Sequence, residues 1–166
     1  MASNLPKADI AHLRHLYQEM QMTTDFISYQ RMYIELSRAR KFTDFTYTQL
    51  ESGKSNVQLK NEMEAKGAEL AASNARDLYA ELKSGRNISA DRDIRVLMNT
   101  YISYSNLDIG YLDPNKTPDE IKSELVPICT RSNLANVKAI YSELSTGNVK
   151  PDEVRDKLYT IDEILK

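Results

Sequence analysis

One phrase recurs three times along the chain: residues 47–53 read YTQLESG, 79–85 read YAELKSG and 141–147 read YSELSTG. Tyr and Leu three residues apart lie on one face of a helix. Upstream of the second phrase the stripe continues through Ala71, Ala75 and Leu78 to Tyr79 and Leu82. Before and within the third it runs Leu134, Val137, Ile140, Tyr141, Leu144. Each phrase closes on Ser or Thr and then Gly, the residue that enters the left-handed region without a Cβ penalty and so stops a helix.

A fresh helix start follows each glycine. After Gly53 either Ser55 or Asn56 can cap, and after Gly85 Ser89 can. After Gly147, Pro151 suits a first helical turn, with Asp152 and Glu153 at its positive end. The phrases therefore predict elbows of helical hairpins. They stand 32 and 62 residues apart, near one and two units of about 31. A fainter echo lies at 17–20, and the place near residue 110 where another unit would fall reads IGYLDPNK, a turn. TPDEIKSEL at 117–125 and KPDEVRDKL at 150–158 form a second pair, 33 residues apart; Thr117 and Glu120 make a capping box. The stretch IYSELSTGNVKPDEV resembles the elbow of a pentatricopeptide hairpin. The resemblance spans about one hairpin and does not continue in a fixed register.

Apolar spacing predicts helices at 8–22, 25–40 (running on as far as 51), 56–83, 90–105, 118–126, 133–145 and 151–165. Pro127 should end or kink the helix that starts at 118. Residues 42–50, rich in Thr and aromatics, lean towards a strand; a lone strand has no partner, so this segment is expected to be helical or irregular. The longest connection falls at 106–116. The expected fold is all-α, an irregular helical bundle or short helical-hairpin array of about six to seven helices, forming a single helical domain over 1–166.

Charge narrows the function classes. Twenty-two basic and 24 acidic side chains give a net charge of −2, spread evenly along the chain. No block has the basic excess that binding phosphates by bulk charge requires. Cys129 is the one cysteine, which excludes an internal disulfide and any cysteine-rich zinc site; its neighbours Leu125, Val126 and Ile128 place it as a small buried hydrophobe. The start, MASNLPKADI, has no apolar run after its charge, and nothing approaches the roughly 20 apolar residues of a membrane span. A cytoplasmic protein is expected.

Four stretches carry possible chemistry. SGKS at 52–55 has the end of a phosphate-binding loop, but the first glycine of that motif would fall at Thr48, and Gly53 matches the helix-stop glycines Gly85 and Gly147. Asp113, Asn115, Thr117 and Glu124 sit at calcium-loop offsets, yet Pro118 occupies the position that needs positive φ. His12, His15 and Glu19 share one side of a helix, with no other histidine in the chain to complete a metal site.

The fourth stretch is SYQRMYIELSRARK at 28–41, the most basic window, with Arg31, Arg38, Arg40 and Lys41 against one acid, Glu35. Arg31, Arg38 and Lys41 line one side of the helix; Tyr29, Met32, Tyr33 and Leu36 line the other. Such a helix can dock an acidic partner or follow a phosphate backbone, and it is also what an ordinary amphipathic helix looks like. Tyr29, Arg31, Tyr33, Arg38 and Lys41 are the candidate partner-binding residues. No nucleophile with a local base and no Glu-x-x-His pair appears, so no catalytic, cofactor-binding or metal-binding residue is assigned.

The expectation is a non-enzymatic protein-interaction module: an adaptor, assembly factor or inhibitor of a larger machine. Its partner is another protein, with no membrane and no cofactor; self-association is open. Tyr29, Tyr33, Tyr101, Tyr104 and Tyr111 suit interfaces, being apolar with a polar tip. The alternative is nucleic-acid binding through 28–41, and the third an enzyme without a recognisable motif.

Overall fold

Apolar residues three and four apart, broken by few glycines and prolines, fold as helix throughout. The computed structural model describes residues 5–90 and 92–166. It contains six α-helices: α1 Ile10–Met22, α2 Phe26–Phe42, α3 Asn56–Lys83, α4 Ile94–Ser105, α5 Pro118–Ser145 and α6 Pro151–Leu165. Two 3-10 turns, Tyr47–Gln49 and Ile109–Leu112, complete the elements, and there is no strand among the described residues. The chain is all-α. It divides into two compact units, one ending at Ala71 and the other running from Ala72 to Lys166, so the division falls inside α3.

In the first unit, Asp9 and Asp25 start α1 and α2 by accepting from the His12 and Ser28 backbone N–H groups at 3.1 and 2.8 Å. The inward faces supply Leu13, Leu16 and Met20 from α1, Tyr29 and Leu36 from α2, and Leu59 and Met63 from α3. Burying each such side chain contributes about 1.5–3 kcal/mol. Tyr29 crosses α3 at Gly67, where a Cβ would stand 3.1 Å from the ring, and its hydroxyl donates to the Met63 carbonyl at 2.7 Å.

α2 stops at Phe42 because Thr43 turns its hydroxyl back onto the Ala39 carbonyl at 2.6 Å and its backbone becomes extended. Phe45 and Tyr47 then turn into the core, edge to face at 5.9 Å. The first repeated phrase is therefore a 3-10 turn after an irregular segment, and not the end of an α-helix. Gly53 still takes φ +89°, and Ser55 caps α3 in a reciprocal pair with Gln58 (3.2 and 2.9 Å).

In the second unit, Ala72, Ala75, Leu78, Tyr79 and Leu82 are all buried along the end of α3. Gly85 and Gly147 follow α3 and α5 with φ +77° and +70°. Here the phrases do what their spacing predicts. α4 begins later than expected: Asp93, not Ser89, is its cap, accepting from the Arg95 and Val96 N–H groups at 2.7 and 3.4 Å.

Pro127 does not end the helix before it. α5 is one helix of 28 residues, so the expected pieces 118–126 and 133–145 are continuous. The carbonyl that Pro127 leaves without a donor belongs to Ser123, and both residues are exposed, so water can take it.

The inward face of α5 is also not the expected one. Its buried residues are Ile121, Leu125, Cys129, Ser132, Asn133, Asn136 and Ile140, while Leu134 and Tyr141 are 50% and 70% exposed. The polar three bind backbone. Ser132 Oγ accepts from the Ile88 N–H (3.3 Å), Asn133 Oδ1 accepts from the Ile94 N–H (2.9 Å), and Asn136 donates to the Ala90 carbonyl (2.6 Å). Asn133 also donates to Asp93 at 2.9 Å. Buried backbone groups need partners, and these side chains are the partners that the approach to α4 requires.

Candidate docking surface

The surface is built on α2. Helical spacing turns Phe26, Tyr29 and Leu36 inward, which leaves Arg31, Ile34, Arg38, Lys41 and Phe42 exposed on the far side. Phe42 is 58% exposed. Of the residues proposed from sequence, Arg31, Arg38 and Lys41 share this face. Tyr33 is half-buried beside it, and Tyr29, 2% exposed with its hydroxyl engaged, is interior.

This face gathers cations that no carboxylate pairs, although Arg131 and Lys138 of α5 are likewise without a carboxylate within 4.0 Å among the described residues. Lys54, Lys60, Lys83, Lys116, Lys122, Lys150, Lys157 and Lys166 each stand within 4.0 Å of a carboxylate. Among the described residues Arg31, Arg38, Arg40 and Lys41 have no such contact. Arg40 and Lys41 lie in the last turn, where the helix dipole favours cations. Arg31 and Arg38 sit further up, beyond the reach of that effect. Glu35, the only acid of the helix, stands 2.7 Å from His12 of α1 and is not within 4.0 Å of these cations.

A cleft of about 400 Å³ adjoins the face, lined by Tyr33, Ser37, Arg40, Lys41, Tyr47 and Lys60. Lys41 belongs to both. The Arg40 guanidinium rests over the Tyr47 ring at 5.0 Å from its centre, and the Lys41 ammonium over Phe42 at 5.1 Å. On the opposite rim Glu64 accepts from the Tyr33 hydroxyl (2.9 Å) and pairs with Lys60 (2.9 Å). Burial, with the Glu64 contact, pushes the Tyr33 hydroxyl up to about 12, so it stays protonated and donating at neutral pH. The Ser37 and Tyr47 hydroxyls stand 3.2 Å apart.

Sequence spacing finds the arginine stripe but misses the cleft. Ile34 and Phe42, apolar yet out of phase with the buried stripe, were a usable signal for the exposed face. Nothing in the sequence ties Lys60 to Arg40, since it is the return of α3 that brings them together.

The other candidate chemistries dissolve into structure. Lys54 of SGKS pairs with Glu51 and Glu62 at 3.0 and 2.7 Å. Asp113 accepts from the Asn115 N–H at 3.1 Å, Thr117 and Glu120 form the capping box, and Glu124 binds Lys116 and the Tyr79 hydroxyl. His12 and His15 turn to different carboxylates, Glu35 and Glu19. Among the described residues no three His, Cys, Asp or Glu side chains gather as a metal site. Cys129 is buried, and that burial pushes its thiol up to about 11. No helix among the described residues is long and apolar enough to cross a membrane.

A second exposed apolar area lies on the last hairpin. On α6 the stripe Val154, Leu158, Ile161, Leu165 is only partly covered, with Leu158 and Leu165 exposed, while Thr160 and Ile164 turn inward. Compared with known protein families, curated proteins and solved structures, the chain matches none.

Proposed function

We propose that the protein is a non-enzymatic interaction module that docks an acidic segment of another protein on the exposed face of α2. The observation that supports it is the gathering of Arg31, Arg38, Arg40 and Lys41 without carboxylate partners around exposed Ile34 and Phe42. Cations of this kind steer an acidic partner and set orientation, while the aromatic and aliphatic pair supplies the area that water leaves. Four such cations on one short helix support α2 as the part of the molecule that meets something outside it.

Nucleic acid could use the same cations, but the chain as a whole carries a charge of −2, which opposes a polyanion beyond the contact. The test is affinity capture with the full chain after nuclease treatment, comparing it with Arg31→Glu/Arg38→Glu. Both side chains are exposed, so the variant should fold. An identified protein, cross-linked to α2 through an acidic segment and lost by the variant, supports the proposal. Partners retained equally by both, or nucleic acid bound at physiological salt in place of protein, would overturn it.

A further inference from the structure

The cleft beside α2 has a chemistry more specific than that of the open helix face. Three cations line it: Arg40, Lys41 and Lys60. One carboxylate, Glu64, stands at its rim, already occupied by Lys60 and the Tyr33 hydroxyl. The local excess is therefore about two positive charges. A carboxylate ligand would match one of them, whereas a phosphoryl group carries roughly −1.5 to −2 at neutral pH and offers three acceptor oxygens.

The donors suit such a group. Arg40 is held over the Tyr47 ring, 5.0 Å from its centre, and no carboxylate of the described residues takes its fork of N–H donors. Lys41, whose ammonium rests over Phe42 on the adjoining face, adds a second cation to the lining. Ser37 and Tyr47, the latter almost wholly buried, also line the cleft, with their hydroxyls 3.2 Å apart. Glu64 itself bars a second acidic group from the Lys60 side, so the anion is placed near Arg40 and Lys41.

We infer that this cleft binds a phosphoryl group, delivered by a phosphorylated serine or threonine in the partner segment that docks on α2. The inference rests on the docking function proposed above. Phosphorylation of the partner would then set whether the complex forms, because a neutral hydroxyl leaves the Arg40 fork unmatched.

Backbone-amide NMR of the full chain at constant ionic strength tests it, with inorganic phosphate, N-acetyl-phosphoserine amide, acetate and AMP as probes. Saturable shifts at Ser37, Arg40, Lys41, Tyr47 and Lys60 are expected with phosphate and with the phosphoserine compound, and acetate should bind about tenfold more weakly. Arg40→Gln should weaken phosphate about tenfold. Lys41→Gln, a change at an exposed side chain outside the core, should weaken it about threefold. Arg31→Glu/Arg38→Glu should change it less than Arg40→Gln does, since screening acts over about 8 Å at physiological salt. Non-saturating shifts, acetate binding as well as phosphate, or indifference to both Arg40→Gln and Lys41→Gln would overturn the inference. Tighter binding of AMP than of the phosphoserine compound would overturn the peptide as the source. The two proposals fail separately. Loss of the phosphate response with protein capture intact removes only the phosphoryl site. A phosphate response without any captured partner removes the docking function and, with it, the phosphorylated segment.

Discussion

α2 and α5 are both amphipathic helices, and their inward faces follow opposite chemistry. α2 buries Phe26, Tyr29 and Leu36 and shows its arginines to solvent, as its spacing predicts. α5 buries Ser132, Asn133 and Asn136 among its apolar residues and leaves Leu134 and Tyr141 outside. Their neighbours explain the difference. α2 meets side chains from α1 and α3, for which an apolar stripe is the complement. α5 meets main chain at Ile88, Ala90 and Ile94, for which hydrogen-bonding side chains are the complement. Periodicity locates an apolar stripe; it does not say what the facing element will offer.

The largest effect expected from this contrast comes from paired leucines. Leu36→Ala empties a fully buried site and should cost about 2–5 kcal/mol in chemical denaturation. Leu134→Ala should stay within about 0.5 kcal/mol. Equal losses in the two variants would break the contrast outright.

Next in size is Asn133→Ala, which strands the Ile94 N–H and removes a donor from Asp93, with an expected loss of about 1–3 kcal/mol. Asn133→Leu should fail to recover that loss, although it restores the volume. A leucine variant as stable as the native protein would show that hydrogen bonding is not what places polar residues inside.

The smallest effect concerns pH. The hydrogen bond to Glu35 raises the His12 pKa above 6.5, with burial opposing and charge from Glu35 adding. Its stabilisation is therefore full below 6.5 and is lost as pH rises through the raised value. Asp93 runs the other way. Burial pushes its carboxyl up, but bonds from Arg95 and Asn133 outweigh it, so the pKa falls below 3.8. That stabilisation holds above 3.8 and is lost as pH falls through the lowered value. Melting temperature followed from neutral to mildly alkaline pH should drop less in His12→Gln than in the native chain, and an identical slope would remove His12 from the account.

Much of the helical pattern was legible in the letters. The bounds of α3 and the start of α6 follow from apolar spacing together with Ser55, Gly85 and Pro151, and the positive φ of Gly85 and Gly147 from their place after an apolar stripe. What was not legible depended on partners distant in sequence. Ser89 and Asp93 are both good caps by composition, and Asn133 of α5 decides between them. Pro127 is a helix breaker until the Ser123 carbonyl it leaves unpaired is seen to lie on an exposed part of the helix. The exposed face of α2 was half visible: the arginine stripe could be read from spacing, whereas the cleft needed α3 to bring Lys60 alongside.

The polar face of α5 also distributes mutational tolerance unevenly. At Ile88 and Ala90 the chain before α4 contributes to α5 only atoms that nearly every amino acid carries, an N–H and a carbonyl. Exchanging the side chains there leaves those bonds in place, provided the backbone path survives. Ser132 and Asn136 contribute side-chain atoms that few residues can imitate. Variation should therefore accumulate on the connecting segment while Ser132 and Asn136 of the helix beneath it admit little, even though the helix is the more regular structure of the two.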